Sequence, residues 1–246
     1  MLTAADEECV RSWANDEIEA RASGLLGLYR VVARARGCEP SELDKTLRHD
    51  LASAAMPLLW PNFEQVAPAR VDGIIALEEH QTEWAGAAAS YIARLRVHLP
   101  ACLIAHIGST AISGLPAKGI IDLLIAVDDV RDEKTYRHAC EELGVVLSTR
   151  DDEHRFFCAP EPEPRVLHIH VCNRGGHFER EHLLFRDYLR SHSDDARRYA
   201  ESKLLAAQSW SDDRFGYTDA KTVIIGDINA RAEAWARSTG WVIPVA

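Results

Sequence analysis

His106-Ile107-Gly108-Ser109-Thr110 and, after a short loop, Ile120-Ile121-Asp122-Leu123-Leu124-Ile125-Ala126-Val127 are the two stretches of this chain that say most about its fold. The apolar residues 101–105 before the first stretch predict a β-strand that ends in a Gly-Ser turn. The second stretch predicts another buried strand, which carries a single carboxylate, Asp122. Gly108 lets the backbone approach a ligand closely, and turn N–H groups with the Ser109 hydroxyl can hold phosphate oxygens. The two stretches therefore predict a phosphate site between adjacent strands.

A carboxylate on the second strand would hold Mg2+ against the phosphates of a nucleoside triphosphate. This arrangement resembles the site of nucleotidyltransferases of the polymerase-beta type. Because side chains alternate along a strand, residue 124 shares a face with Asp122. The usual second carboxylate is replaced there by Leu124. The sequence thus predicts a nucleotide-handling site that lacks half of the usual metal clamp.

The composition favours a small-molecule substrate. The chain has 246 residues, 47% of them hydrophobic and 27% charged, which is ordinary for a globular protein. Its formal net charge of −10 argues against broad nucleic-acid binding, which needs a basic face. We expect a small anionic substrate. The sequence leaves open whether the protein forms a homodimer.

The cysteines and the N-terminus favour the cytoplasm. Six cysteines are scattered without a Cys-x-x-Cys pair or a zinc spacing, which predicts reduced thiols. The first residues lack the basic start and apolar core of a signal peptide. No apolar run has the length of a transmembrane helix, so we expect no membrane association.

The periodicity of apolar residues predicts a helical N-terminal extension over residues 1–70 and an α/β (or α+β) domain over 74–240. The extension's apolar stripe includes Trp13, Leu25, Leu28 and Trp60. Strands are predicted at 73–77, 101–105, 120–127, 145–148, 155–159 and 166–172. Helices are predicted at 82–98, 133–143, 178–191, 194–209 and 219–238, with Ser193 and Thr218 as N-caps. We expect a small mixed sheet flanked by helices, with a C-terminal helical cap.

Several ordered motifs resemble the GrpB-like family, a branch of the nucleotidyltransferase superfamily. The resemblance covers residues 74–235 and is carried by the segments His106–Asp122, Leu167–Val171, His182–Arg190, Tyr199–Lys203 and Tyr217–Lys221. It implies a nucleotidyltransferase-type fold but no particular substrate. Members of the family vary at the position of Leu124.

His168 and His170 alternate on one predicted strand, so both imidazoles face the same side. The superfamily often places its third carboxylate at a comparable point in the chain. Together with Asp122, two neutral imidazoles would suit Zn2+, Mn2+ or Fe2+ better than Mg2+. Alternatively, one histidine acts as a general base, or both are hydrogen-bonded sheet histidines. His106 precedes the turn and is either part of this site or structural.

The cap contributes candidate phosphate ligands. In nucleotidyltransferases a Lys and a Tyr from such helices reach the triphosphate. The resemblance therefore implies this role for Lys203, Tyr217 and Lys221. The alternative is that these lysines are surface residues on polar helix faces. Lys118, just before the second strand, either neutralises phosphate or is a solvated loop residue.

The resulting prediction is an enzyme that binds a nucleoside triphosphate and a divalent metal (Mg2+ or Mn2+, or Zn2+) and transfers or activates a group on a small-molecule acceptor. Asp122, His168 and His170 would be its catalytic and metal-binding residues, and Gly108, Ser109, Lys118, Lys203, Tyr217 and Lys221 would bind the nucleotide. Two alternatives stay open. One is a nucleotide- or metabolite-binding module without catalysis, and the other is a His/Asp metal site with non-nucleotide chemistry.

Overall fold

A computed structural model describes residues 2–15, 17–59, 62–68 and 73–244. Its helices are α1 (Ala4–Ala14), α2 (Glu17–Arg36), α3 (Lys45–Leu59), α4 (Glu83–His98), α5 (Arg137–Glu141), α6 (His177–Ser191), α7 (Ser193–Ser209), α8 (Arg214–Asp219) and α9 (Thr222–Thr239). Its strands are β1 (Glu64–Gln65), β2 (Leu103–Ile107), β3 (Ile121–Val127), β4 (Val146–Arg150), β5 (His154–Cys158) and β6 (Leu167–Asn173). The chain forms two compact units. The first comprises Met1–Phe63, Asp72–Ala76 and Ser202–Val223, and the second Glu64–Val71, Leu77–Glu201 and Ile224–Ala246.

The first unit is helical, and specific polar contacts fix its N-terminal helices. The Thr3 side chain accepts a hydrogen bond from the Asp6 backbone, and the Asp6 carboxylate accepts one from the Thr3 backbone, which forms a capping box for α1. Arg36 at the end of α2 pairs with the same carboxylate at 2.8 Å. Leu28 of α2 and Leu51 of α3 are fully buried and supply apolar packing to this unit.

Arg48 of α3 is a buried cation of the first unit, with 4% of its side chain exposed. It forms ion pairs of 2.8 Å with both Asp212 and Asp213. It also donates to the carbonyl oxygens of Ser41 and Leu43 at 3.2 and 2.9 Å. The guanidinium therefore compensates a buried carboxylate and satisfies backbone acceptors at the same time.

We expect Arg48→Met to lower the free energy of unfolding by about 3 kcal/mol, because Asp213 is buried and would lose its cation. Urea unfolding followed by circular dichroism measures this. Arg11→Met is the matched control, since Arg11 pairs with Glu8 at 2.9 Å but both side chains are largely exposed. The control should change the unfolding free energy by less than about 0.5 kcal/mol. Equal effects of the two substitutions would contradict this account of Arg48.

The second unit is built on a six-stranded mixed sheet in the order β1-β4-β5-β6-β3-β2. Strands β3 and β6 run parallel, and the other neighbours pair antiparallel. The parallel register places Asp122 beside His168 and Leu124 beside His170. The two parallel strands, both in the interior of the sheet, therefore begin side by side at the same end of the sheet.

Both faces of the central strands are covered, as the apolar run 120–127 predicts. Leu123 and Ile125 of β3 belong to a core with Trp84 of α4. Leu124 lies on the opposite face, in a cluster with Leu183 of α6. Asp122 stands at the second position of β3, where its carboxylate is still partly exposed. The end of the strand is thus the place where this run can accommodate a charge.

The predicted mixed sheet flanked by helices is confirmed, but one predicted strand is wrong. Residues 73–77 form no strand, and Glu78 makes a single bridge to Ala117 instead. The N–H group of Ile75 donates to the carbonyl oxygen of Ser211. Its backbone hydrogen bond is therefore made outside the sheet. The predicted boundary between residues 1–70 and 74–240 stays a prediction.

Two predicted helices differ from the observed ones. The helix expected over 133–143 is a 3-10 turn (Glu133–Thr135) followed by α5. The helix expected over 219–238 is observed as α9, which begins later, at Thr222, and Thr218 lies inside the separate short helix α8 rather than capping a helix. Asp213 caps α8, since its side chain accepts a hydrogen bond from the Gly216 N–H at 3.0 Å.

The apolar stripe of the N-terminal helices is largely where the periodicity places it. Trp13, Leu25 and Leu28 are buried, and Trp60 lies outside the described residues. In the part of the chain that the structure describes, no helix combines the length and apolarity needed to cross a bilayer.

Candidate functional site

The structure brings Asp122, His168 and His170 together where β3 and β6 begin. Asp122 Oδ1 lies 2.9 Å from His168 Nδ1 and 3.8 Å from His170 Nε2. One ligand atom from each of the three residues falls within 4.8 Å of the others. The parallel register explains this convergence, because it aligns alternate residues of the two strands on one face. Carboxylate oxygen and imidazole nitrogen are both common ligands of divalent metals.

Asp122 supplies the negative charge of this site. Burial by itself would raise the pKa of its carboxyl group. Hydrogen bonds and electrostatic interactions with His168 and His170 outweigh burial and hold the pKa well below its usual range. The carboxylate is therefore ionised at neutral pH and can bind a cation.

Leu124 occupies the position of the expected second carboxylate. It is fully buried, and its partner across the parallel pair is His170. Two imidazoles and one carboxylate thus replace a carboxylate pair on this face. Such a donor set suits Zn2+, Mn2+ or Fe2+ better than Mg2+, which prefers oxygen ligands.

The turn after β2 lies directly against Asp122. Gly108 has a φ of +70°, and a Cβ atom at this residue would lie 2.4 Å from Asp122 Oδ2. A residue with a side chain is thus excluded both by conformation and by space. Ser109 is hydrogen-bonded to Tyr199, and burial raises the pKa of this tyrosine to about 12. A neutral, buried phenol therefore fixes the serine of the turn.

His106 ties the same turn to β3. Its Nε2 lies 2.9 Å from Thr110 Oγ1, and this hydroxyl donates to the carbonyl oxygen of Ile120 at 3.0 Å. Because the Thr110 hydroxyl hydrogen is already donated, His106 Nε2 must be the protonated nitrogen. Burial lowers the pKa of His106 to about 4, so its ring is neutral. These contacts favour a structural role for His106.

A group of stacked rings surrounds His170. His154 Nε2 lies 3.0 Å from His170 Nδ1. The rings of His154 and His182 both stack on the ring of Phe178, with centroid distances of 4.3 and 3.9 Å. Burial lowers the pKa of His154 well below its usual range and that of His182 to about 4. A neutral His154 thus holds His170 Nδ1 and leaves His170 Nε2 directed towards Asp122.

The sequence analysis did not identify His154, His182 or the contact of Tyr199 with Ser109 as parts of the site. Phe178 and His182 stand four residues apart, which places them on one face of α6 and was a usable signal. His154 offered no such signal, because its role depends on the pairing of β5 with β6.

The remaining predicted nucleotide ligands lie in both units. Lys118 belongs to the second unit and is half-buried just before β3. Lys203, Tyr217 and Lys221 belong to the first unit. Lys203 is 2% exposed, and Lys221 Nζ lies 4.1 Å above the ring of the buried Tyr217. A role of these four residues in nucleotide binding stays a prediction.

Comparisons with known proteins agree with this fold. The chain is 38% identical over 165 residues to the UPF0157 protein of Streptomyces coelicolor, which covers 66% of this chain and 87% of that protein. It is 36% identical over 166 residues to the UPF0157 protein of Halalkalibacterium halodurans, which covers 65% and 83%. The crystal structure of conserved protein GrpB from Enterococcus faecalis is similar with a TM-score of 0.57 and 28% identity, covering 65% of this chain and 99% of that chain.

The family model described as GrpB protein matches residues 74–231, which include β2 to β6 and all residues of the candidate metal site. The fold is consistent with the nucleotidyltransferase superfamily. The chain belongs to the GrpB family.

Proposed function

We propose that this protein is a divalent-metal-dependent enzyme of the nucleotidyltransferase type. It binds a nucleoside triphosphate and transfers or activates a group on a small-molecule acceptor. The observation that carries the proposal is the convergence of ligand atoms from Asp122, His168 and His170 within 4.8 Å, beside the Gly108 turn. A metal-ligand set next to a glycine turn is what a phosphate site needs.

The three residues fit a bound divalent cation. Metal bonds of about 2.0–2.1 Å separate neighbouring tetrahedral ligands by roughly 3.3 Å. The separations of 2.9 and 3.8 Å from Asp122 Oδ1 lie on either side of this value. When bound, the cation would supply positive charge that neutralises phosphate oxygens.

The protein's own residues supply position and order. Gly108 keeps the turn close to Asp122, so that a phosphate on the turn would lie near the carboxylate. Tyr199 holds Ser109, and His154 holds His170. In phosphoryl and nucleotidyl transfer, catalysis comes mainly from such positioning and from charge neutralisation. Lys118 of the same unit is proposed to add positive charge near the start of β3.

A second candidate function is metal chemistry on a substrate other than a nucleotide. Leu124 favours it, because this buried residue removes the second carboxylate that ordinary two-metal transfer uses. The nitrogen-rich donor set favours it as well.

Nucleotide titrations separate the candidates. ATP, GTP, CTP and UTP would be titrated calorimetrically with and without Mn2+ or Zn2+, followed by assays of pyrophosphate release. The proposal expects nucleotide binding that depends on the metal, together with release of pyrophosphate in the presence of an acceptor. Metal binding without nucleotide binding would favour the second candidate. Nucleotide binding without any release would identify a binding module and contradict the proposed catalysis.

Leu124→Asp tests whether the site is complete without a second carboxylate. We expect no gain in Mg2+ affinity over the matched variant Leu124→Asn, because His170 already faces this position from β6. Both variants should be less stable than the wild type, since position 124 is fully buried. Calorimetric Mg2+ and Mn2+ titrations measure the difference. Mg2+ binding at least about tenfold tighter in Leu124→Asp than in Leu124→Asn would instead indicate a degraded two-carboxylate site.

A further inference from the structure

Two arginines face each other across neighbouring strands of the second unit. Arg150 of β4 and Arg155 of β5 are direct partners in the antiparallel register. Like charges in this arrangement repel each other and destabilise a sheet. The pair therefore needs an anion close to both guanidinium groups.

Glu133 provides part of that negative charge. Its carboxylate lies 2.8 Å from Arg155 Nε and 3.3 Å from Arg150 Nη1. A third guanidinium, that of Arg137, lies 3.5 Å from the other oxygen. One carboxylate is thus shared by three guanidinium groups, so a further anion would neutralise positive charge that Glu133 leaves uncompensated.

Arg155 is held rigidly for such a role. Its side chain is 6% exposed. Besides Glu133, it donates to the backbone carbonyl oxygens of Asp151 and, at 3.0 Å, His154. A guanidinium fixed by three acceptors loses little further freedom when a ligand binds.

These groups line a cavity of about 390 Å³. Arg131 and Lys134 bring the lining cations to five, against the two carboxylates of Asp132 and Glu133. This local excess of positive charge contrasts with the net charge of −10 of the whole chain. The cavity therefore attracts anions in a protein that otherwise repels them.

Three further carboxylates form ion pairs with arginines of the cavity. Glu141 pairs with Arg137 at 2.7 Å, Glu64 with Arg150 at 3.3 Å, and both carboxylate side chains are substantially exposed. Asp129 likewise pairs with the exposed Arg131 at 3.0 Å. Ion pairs of this kind contribute little in water, so a multivalent ligand can displace them.

The cavity is separate from the candidate metal site. His154 and Arg155 are consecutive in β5, so their side chains lie on opposite faces of the sheet. The cavity-lining residues 131–134 follow the C-terminal end of β3, which is Val127. Asp122 lies five residues before that end, about 16 Å away along the strand.

We propose that this arginine cavity binds a small oxyanion with several negative charges, of the phosphate type. The ligand's oxygens would bridge Arg150 and Arg155 and relieve the repulsion between them. Arg137 would contact the same ligand from α5. Because the described residues that line the cavity are all charged and none is aromatic, it recognises charge rather than a base or ring.

Inorganic pyrophosphate is the probe, titrated calorimetrically into the full chain in the presence of EDTA. The expected result is binding that weakens at least about tenfold in Arg150→Gln and in Arg137→Gln, because each removes a charge-assisted contact. Arg197→Gln is the matched control, since Arg197 is 67% exposed and pairs only locally with Asp194 at 3.0 Å. Asp122→Asn should also leave this binding unchanged. Circular dichroism melting of each variant shows that it is folded.

Glu133→Gln should change the pyrophosphate affinity in the direction opposite to the arginine substitutions. Since Glu133 competes for the same guanidinium groups, its neutralisation should tighten pyrophosphate binding several-fold. The proposal is overturned if the wild type does not bind pyrophosphate, if Arg150→Gln and Arg137→Gln bind it like Arg197→Gln, or if Glu133→Gln binds it more weakly. A change in pyrophosphate affinity confined to Asp122→Asn, with Arg150→Gln and Arg137→Gln like the wild type, would place the anion at the candidate metal site and would equally overturn it.

Discussion

Asp122→Asn is expected to weaken the binding of Mn2+ or Zn2+ by at least about 100-fold. The amide has nearly the same shape as the carboxylate but lacks its charge, and outer partners of a metal site alone already contribute 10–100-fold in affinity. Asp122 is the carboxylate shared by His168 and His170, at 2.9 and 3.8 Å, so no neighbouring group replaces it among the described residues of the cluster. Calorimetric titration of the metal-free protein measures the loss. Any catalytic turnover should disappear with it.

Asp128→Asn is the matched control for this prediction. Asp128 follows β3 directly, is 92% exposed on its side chain and pairs with Arg174 at 3.2 Å. Its substitution should leave metal affinity unchanged. Equal metal affinity of the wild type and Asp122→Asn would show that the cluster is a structural hydrogen-bonded group.

Gly108→Ala should damage both the fold and the site. Its backbone angles, φ +70° and ψ −171°, lie in a region used almost only by glycine and cost a residue with a Cβ atom about 1–3 kcal/mol. In addition, the new methyl group would lie 2.4 Å from Asp122 Oδ2 and must displace the carboxylate. We therefore expect a lower unfolding free energy together with metal affinity reduced by about tenfold or more.

Gly114→Ala separates the effect of the positive φ from the effect of the close contact with Asp122. Gly114 has a φ of +76°, but a Cβ atom there would meet nothing within 4 Å. It should show the loss of stability without the loss of metal affinity. If Gly108→Ala and Gly114→Ala bind the metal equally well, the close approach of the turn to Asp122 has no functional meaning.

The central strands could be predicted because their sequence is unambiguous. The apolar run 120–127, interrupted by Asp122, is observed as β3 from Ile121 onward, and the run 166–172 is observed as β6 shifted by one residue. A local pattern of apolar residues indicates directly which residues of a strand are buried. The candidate cluster followed from them in part, since Asp122 and the two histidines were each visible as polar residues in buried strands.

The geometry around the cluster could not be predicted, because it depends on pairings between distant segments. His154 meets His170 through the antiparallel pairing of β5 and β6, whose register no local pattern sets. The predicted strand at 73–77 failed for a related reason, because the Ile75 N–H finds its acceptor at Ser211, far along the chain.

An anomalous X-ray difference map from crystals soaked with Mn2+ or Zn2+ locates the bound metal directly. We expect a peak within coordination distance (about 2.0–2.2 Å) of Asp122, His168 and His170. The same peak should be absent from crystals of Asp122→Asn. A soaked crystal of the wild type without a peak at these residues, or with the metal bound elsewhere, would contradict the account.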